Sequence, residues 1–395
     1  MEKDTRQFSK DRNKRLVLQT IYTQGEISRA GLARSTDLTR TTVSSIVSEL
    51  MRDGLVQETG VGISDGGKPP VILQIDEHGR HLIGLDLANS QFQGGVIDLR
   101  GNILYRYEVP MREQDGEAAL ALVYELVDSL MAATDQPILG IGIGTPGLID
   151  APNGIVRLAV NLRWRDLPLG NLLAQRYNLP VYLSNDSHAA SVGEYLFGQG
   201  QRRANLVVVK IGRGVSAGLV LGGRLFVGDS SVAGEIGHIT LVEDGELCVC
   251  GNTGCLETVV STRVLMRCAR EVAWLNPASP LHALASGPQF LTNDHVYQAF
   301  HQGDSDLALK VLEMGRHLGQ AIANIAGLLN VESIVLGGSM SQLGEPFAEA
   351  VRSEVYRHIN PMLSGKTSIY LSSLGNDIVI KGAAALLLTN ELGLV

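Results

Sequence analysis

The hydrophobic positions of this chain change their period along its length. Between Arg12 and Tyr22, apolar residues fall at Leu16, Val17, Ile21 and Tyr22 with basic residues between them, which predicts an amphipathic helix. After Gly25, the segment Ile27–Ser35 predicts a short second helix capped by Ser28, whose hydroxyl can accept from a free backbone N–H of the first turn. Thr36-Asp37-Leu38 predicts a tight turn. Thr39 then caps a third helix to about Met51, with Val43, Ile46, Val47 and Leu50 inward. Two short strands follow, Gly54–Glu58 and Val71–Ile75, around a tip that contains Gly66-Gly67-Lys68-Pro69-Pro70. Three helices and a two-stranded ribbon predict a winged helix-turn-helix over residues 1–75, although the same periodicity also allows a three-helix protein-interaction module.

Beyond residue 80 the pattern turns to short buried strands. His81–Leu87, Gly94–Leu99 and Ile103–Tyr107 predict three strands, followed by a helix near Glu117–Ala133 and a strand over Pro137–Gly144. Leu206–Ile211 opens a second half with the same grammar: strand, glycine turn, strand, a Gly222-Gly223 hairpin and a further strand. A later strand, Ser333–Leu336, ends in Gly337-Gly338. Duplicated strand-and-helix halves with a cleft between them predict an α/β, two-lobed, actin-like ATPase (ribonuclease H-like) body. The expected division is an N-terminal lobe over 80–195, closed by a C-terminal helix at 376–395, and a C-terminal lobe over 196–375 carrying an oligomerisation surface.

Charge refines this picture. Net charge is -8 over 395 residues, but residues 1–75 hold 11 Lys/Arg against 9 Asp/Glu and the remainder 22 against 32. A slightly basic head on an acidic body suits nucleic-acid binding by the head alone. The outward face of the third helix offers Arg40, Thr41, Thr42, Ser44, Ser45 and Ser48, small donors suited to a major groove, and Lys68 at the wing tip suits phosphate. The expected partner is double-stranded operator DNA. No apolar run reaches membrane-span length and the start is not that of a secretory signal, so a cytoplasmic location is expected, with thiols kept reduced.

Chemistry concentrates in one loop. His238, Cys248, Cys250 and Cys255 form the ligand set of a closed structural Zn2+ site, with Gly251 and Gly254 letting the backbone wrap tightly. Three buried inert cysteines are the alternative. Cys268, in a helical stretch, reads as core. Glu235, His238 and Glu257 flank the loop with polar groups that a carbohydrate can use.

Gly144-Thr145-Pro146-Gly147, Ser184-Asn185-Asp186-Ser187-His188-Ala189-Ala190, Gly234-Glu235-Ile236-Gly237-His238, the cysteine cluster and Gly337-Gly338 together resemble the ROK family (repressors, open reading frames, kinases) over nearly the full length. A winged helix fused to such a body is similar to the family's sugar-responsive repressors. The resemblance implies sugar contacts from Asn161, Asn185, Asp186, Glu235, His238 and Glu257, with one ring nitrogen of His238 on zinc and the other toward the sugar. It also implies that Asp186 stands where the family's kinases keep a general base. Asn185-Asp186 can equally be a helix N-cap.

The family's first phosphate loop, Asp-x-Gly-Gly-Thr, here reads Asp86-Leu87-Ala88-Asn89-Ser90, with Ala88 and Asn89 crowding a close backbone approach. The second, Gly-Thr-Gly-Ile-Gly-Gly-Gly, reads Gly212-Arg213-Gly214-Val215-Ser216-Ala217-Gly218. Without preorganised phosphate contacts the main source of phosphoryl-transfer catalysis is missing. The expected function is therefore a non-enzymatic, sugar-responsive repressor of carbohydrate-utilisation genes. It would bind a sugar or sugar phosphate between its lobes and act as a homodimer or homotetramer. Alternatives are an ATP-dependent sugar kinase with Asp186 as base, and a repressor controlled by a protein partner.

Overall fold

The computed structural model describes residues 2–62, 69–88, 91–111, 114–200 and 202–394. It divides into two units: residues 1–143, 149–183 and 383–395 form the first, and residues 144–148 and 184–382 the second.

The first unit opens with α1 (Glu2–Gln24), β1 (Ile27–Ser28), α2 (Arg29–Thr36), α3 (Arg40–Arg52), β2 (Val56–Val61) and β3 (Val71–Ile75). The strands pair in the order β1-β3-β2. Ser28 Oγ accepts from Gly31 N at 3.1 Å and Thr39 Oγ1 from Thr42 N at 3.2 Å, so both caps fall where the sequence puts them. Two boundaries differ from the pattern reading. Ile27 and Ser28 pair with Leu73 and Ile72, which delays α2 to Arg29. α1 begins at Glu2, ten residues before the expected start at Arg12, because a helix once nucleated extends through polar residues that periodicity does not report. Val17, Ile21, Leu32, Val43, Val47, Leu50 and Leu73 are fully buried and form the core of this head.

The rest of the unit packs directly against the head. A Cβ at Gly79 would lie 2.2 Å from Gly54 O, so two backbones meet at a distance no side chain permits. Asp76 N donates to Leu55 O (3.0 Å) and Arg80 Nε to Asp53 O (2.9 Å) at the end of α3. An Arg100 guanidinium nitrogen donates to Tyr22 O in α1 (2.9 Å), with the guanidinium carbon 4.7 Å from the Tyr22 ring centroid.

After the head come β4 (His81–Asp86), β5 (Gln91–Ile97), β6 (Ile103–Pro110), α4 (Gly116–Ala132), β7 (Ile138–Thr145), β8 (Leu148–Asp150), β9 (Ile155–Ala159), β10 (Trp164–Leu167), α5 (Leu169–Tyr177) and β11 (Val181–Asn185). The larger sheet is ordered β11-β7-β4-β5-β6. In the second unit α6 (Asp186–Phe197) precedes β12 (Leu206–Ile211), β13 (Val215–Leu221) and β14 (Arg224–Phe226). Then follow α7 (Thr262–Leu275), α8 (Leu281–Leu284), α9 (Asn293–His301), α10 (Ser305–Leu329), β15 (Ser333–Gly337), α11 (Glu345–His358), α12 (Pro361–Ser364) and β16 (Ser368–Leu371).

Its sheet is ordered β14-β13-β12-β15-β16, with β12 and β13 antiparallel and β12, β15 and β16 parallel. Both sheets thus set a three-strand meander beside two later strands in the same order, the duplication that the strand grammar predicted. The last helix, α13 (Ile378–Leu392), gives its first residues to the second unit and its remainder to the first. Within the second unit Gly382 lies against Ala189 of α6, and within the first Gly393 lies against Arg15 of α1. Among the described residues no helix is long and apolar enough to cross a membrane.

Candidate functional site

β11 delivers its last residue, Asn185, to the start of α6, and Asn185 is the N-cap: its Oδ1 accepts from Ser187 N at 2.9 Å and from Ser187 Oγ at 2.6 Å. Its amide donates to Gly147 O (3.1 Å), which ties the cap to the Thr145-Pro146-Gly147 turn. Asp186, first residue of the helix, accepts from Ser187 N through Oδ1 (3.0 Å) and from Lys210 Nζ through Oδ2 (2.6 Å). Both side chains of this ion pair are 10 % exposed. Sequence reasoning missed Lys210. The signal was present, a single lysine in the otherwise apolar strand Leu206-Val207-Val208-Val209-Lys210-Ile211, where an unpaired charge would be costly.

Glu235, His238 and Glu257 belong to the same neighbourhood. Loss of hydration pushes the Glu235 carboxyl up, Asp186 and Glu257 reinforce that, and His238 opposes it. His238 Nε2 lies 3.7 Å from Glu235 Oε2. Glu257 is buried, and its two oxygens accept from Val215 N (3.2 Å) and from an Arg263 guanidinium nitrogen (2.5 Å). Burial pushes the His188 imidazole below its ordinary value, and His188 Nε2 sits 2.9 Å from Ala233 O. As the neutral ring's donor, that nitrogen fixes the backbone leading into Gly234-Glu235. Asn161 is exposed in a short turn of the first unit, between β9 and β10.

The ligand atoms of His238, Cys248, Cys250 and Cys255 all lie within 4.8 Å of one another, a group that can hold a metal ion. Cys250 Sγ and Cys255 Sγ are 3.7 Å apart, and Cys248 Sγ and His238 Nδ1 are 3.6 Å apart. A tetrahedron built on bonds of about 2.3 Å to sulfur and about 2.0 Å to nitrogen has edges of about 3.8 Å and about 3.5 Å, which these two pairs match. Without a cation the Cys255 thiol is pushed up to about 12 by burial and its two thiol neighbours, a charge balance that a bound cation reverses. Gly254, at φ +69, closes the loop where a Cβ would stand 1.8 Å from Val242 O. Cys268 stays outside this group, packed at the edge of the core under α7.

Asp86 is buried and its Oδ1 accepts from Ala88 N at 2.9 Å; Asn89 and Ser90 lie outside the described residues. In the second loop Gly212 N donates to Gly214 O (2.9 Å), Val215 N to Glu257 and Ala217 N to Gly234 O (2.7 Å). These three amides of the second loop thus have partners within the protein. Arg213 is exposed.

On α3, Arg40, Thr41, Ser44, Ser45 and Ser48 are exposed and Thr42 is half-buried. Ser48 Oγ donates back to Ser44 O (2.9 Å), and Thr42 Oγ1 shares a bond with Thr39 Oγ1 (2.8 Å). Lys68 lies outside the described residues.

Comparison with known proteins agrees with this anatomy. A ROK family model matches residues 82–390, and a winged helix-turn-helix DNA-binding model matches residues 10–57. A xylose repressor of Caldicellulosiruptor bescii is 32% identical over 384 residues, covering 96% of each chain. Among solved structures, a ROK family transcriptional regulator, homolog of the E. coli MLC protein, aligns with TM-score 0.82 at 28% identity over 98% of this chain and 97% of its own. A ROK family glucokinase from Streptomyces griseus, in complex with glucose and AMPPNP, aligns with TM-score 0.72 at 32% identity over 78% of this chain and 98% of its own.

Proposed function

The chain belongs to the ROK family, and we propose that it is a sugar-responsive repressor that binds DNA through its winged helix and is controlled by a sugar held in its second unit. The observation that carries this reading is the pairing of a DNA-reading head with a body whose polar site is kept and whose second glycine loop holds its Gly212, Val215 and Ala217 amides in bonds within the protein. Asn185, Asp186, Glu235, His238 and Glu257 hold the sugar hydroxyls, and the buried ones among them, Asn185, Asp186 and Glu257, reject analogues that leave them unpaired.

The metal group takes structural Zn2+ through His238 Nδ1, Cys248, Cys250 and Cys255. The ion would fix the imidazole so that Nε2 faces the Glu235 side. On the DNA side, Arg40, Thr41, Thr42, Ser44, Ser45 and Ser48 face the major groove and Lys68 the backbone, in a homodimer or homotetramer that matches two half-sites. The sugar signal passes along α13, whose Gly382 lies against Ala189 of α6 and beyond whose end Gly393 lies against Arg15 of α1. Residues 1–75 read DNA, while 80–195 with the helix at 376–395, and 196–375, form the sensing body.

The test is fluorescence anisotropy on DNA fragments that the chain selects from a random pool, with D-xylose and D-glucose titrated in. A fall in DNA affinity with one of them is expected. Sugar binding seen by calorimetry with DNA affinity unchanged would refute the mechanism. The kinase reading retains one supporting observation, the Asp186 carboxylate itself. Phosphoryl transfer from Mg-ATP that disappears in Asp186→Asn would restore it.

A further inference from the structure

Glu77, His78 and Asp98 form a second group of metal-ligating donors, outside the thiolate loop and outside the polar site. Their ligand atoms all lie within 4.8 Å of one another, although the residues come from two separate segments. Glu77 and His78 belong to the segment that joins β3 of the head to β4 of the body, and Asp98 follows β5. Leu99 N donates to Glu77 O at 3.1 Å, a backbone bond that brings the two segments together. We propose that these three side chains bind a divalent transition cation, which ties the head-to-body segment to the β5–β6 turn.

Two carboxylates and one imidazole suit ions from Mn2+ to Zn2+, whereas three thiolates discriminate against Mn2+. Asp98 is oriented before any ion arrives: its Oδ1 accepts from Arg100 N (2.8 Å) and Asn102 N (2.9 Å), and its Oδ2 from Asn102 Nδ2 (2.9 Å). A carboxylate oxygen accepts two bonds, so Oδ2 keeps a lone pair for a cation. Asp98 is buried, Glu77 half-buried and His78 exposed, which leaves an entry path from solvent.

A separate observation points to the same place. His81 is 7 % exposed, and its Nε2 has no hydrogen-bond partner among the described residues, while Nδ1 lies 2.7 Å from Thr134 Oγ1. Its ring stands edge-on to that of His78, with centroids 6.5 Å apart. A buried imidazole nitrogen without a partner is costly, and a water carried by an ion on His78 would supply one. The competitor for the ion is Arg100, whose Nε lies 3.4 Å from Glu77 Oε1. An ion draws Glu77 away from Arg100, the side chain that also holds Tyr22 O of α1, so ion binding and attachment of the head are linked.

Electron paramagnetic resonance with Mn2+ as the probe tests this on the full chain. Loss of the free-ion signal should count one Mn2+ per chain, which about a tenfold excess of Mg2+ does not displace, because an imidazole ligand favours transition ions. The bound signal should carry nitrogen coupling from an imidazole. His78→Ala should abolish that coupling, and His78→Ala and Asp98→Asn should each weaken Mn2+ about tenfold or more. Arg100→Met, which removes the competing cation, should strengthen binding about threefold or more. Binding should persist in Cys255→Ser, which separates this group from the thiolate loop. Hydrogen exchange over residues 76–80 should slow with Mn2+ in wild type and not in His78→Ala. No bound Mn2+, equal affinity in wild type and His78→Ala, or a bound signal without nitrogen coupling would overturn the site. Unchanged exchange with Mn2+ bound would overturn the tie between the segments. His78 is exposed, so His78→Ala decides the matter even if Asp98→Asn does not fold.

Discussion

Replacing Arg80 and Arg100 together by Met should uncouple the head from the sensing body without damaging either. Arg80 Nε holds Asp53 O at the end of the DNA-reading helix, and Arg100 holds Tyr22 O and the Tyr22 ring in α1. Charge-assisted bonds to carbonyls contribute about 1.5 kcal/mol each at the low end, and a partly exposed cation–π contact about 0.5 kcal/mol. The double variant therefore loosens the junction by about 3.5 kcal/mol, slightly more than a typical allosteric coupling energy of about 1–3 kcal/mol. Methionine retains most of the apolar stem, so packing is largely kept.

The assay is DNA affinity by anisotropy with and without saturating D-xylose or D-glucose, paired with sugar affinity by calorimetry with and without DNA. Linkage requires the two fold-changes to be equal. Wild type should lose about tenfold or more of its DNA affinity in sugar. The variant should lose less than twofold while its sugar affinity in the absence of DNA is unchanged. Hydrogen exchange around Tyr22 should quicken in parallel. An undiminished response in the variant, or unchanged protection of α1, would refute the idea that these two arginines carry the coupling.

Other consequences are narrower. Cys255→Ser, or chelation of the wild type, should abolish bound zinc and lower the melting temperature by several degrees; equal metal content and melting in the variant would exclude the site. Because protons compete for the same thiolates, and burial holds the Cys255 thiol up at about 12, zinc affinity should rise as pH increases from 6 to 8, and a flat profile in a competition titration would contradict this. Arg40→Ala should cost about 1–3 kcal/mol of DNA binding with sugar affinity unchanged, and equal affinity would remove Arg40 from the interface. The His188 imidazole is depressed in the folded state, so folding excludes a proton that the unfolded chain accepts. Stability is then full above about pH 6.5 and falls as pH drops from there toward the folded value. Melting curves of His188→Gln should lack that part of the acid sensitivity.

Much of the head was readable because its information is local. Ser28 and Thr39 cap helices through bonds spanning three residues, and the stripe of Val43, Ile46, Val47 and Leu50 needs nothing beyond its own helix to identify it. The metal donors were equally legible, since three of them fall within eight residues and the fourth ten residues before. Glycine losses in the two phosphate loops could also be read directly, because a missing glycine is a backbone fact before any fold exists.

What the sequence by itself determined, then, is the set of elements, the donor atoms and the loss of glycines from two loops: properties of residues interacting over short spans. Which charges meet was decided only by the tertiary structure. Lys210 and Asp186 are 24 positions apart, Arg100 and Tyr22 are 78, and Tyr182 reaches Glu391 at 2.6 Å across 209. Pairing over such distances follows from strand order and helix packing, and no periodicity in the chain encodes it. The polar site and the junction that would carry its signal therefore belong to the fold, whose buried ion pairs and glycine contacts turn separately legible parts into one responsive protein.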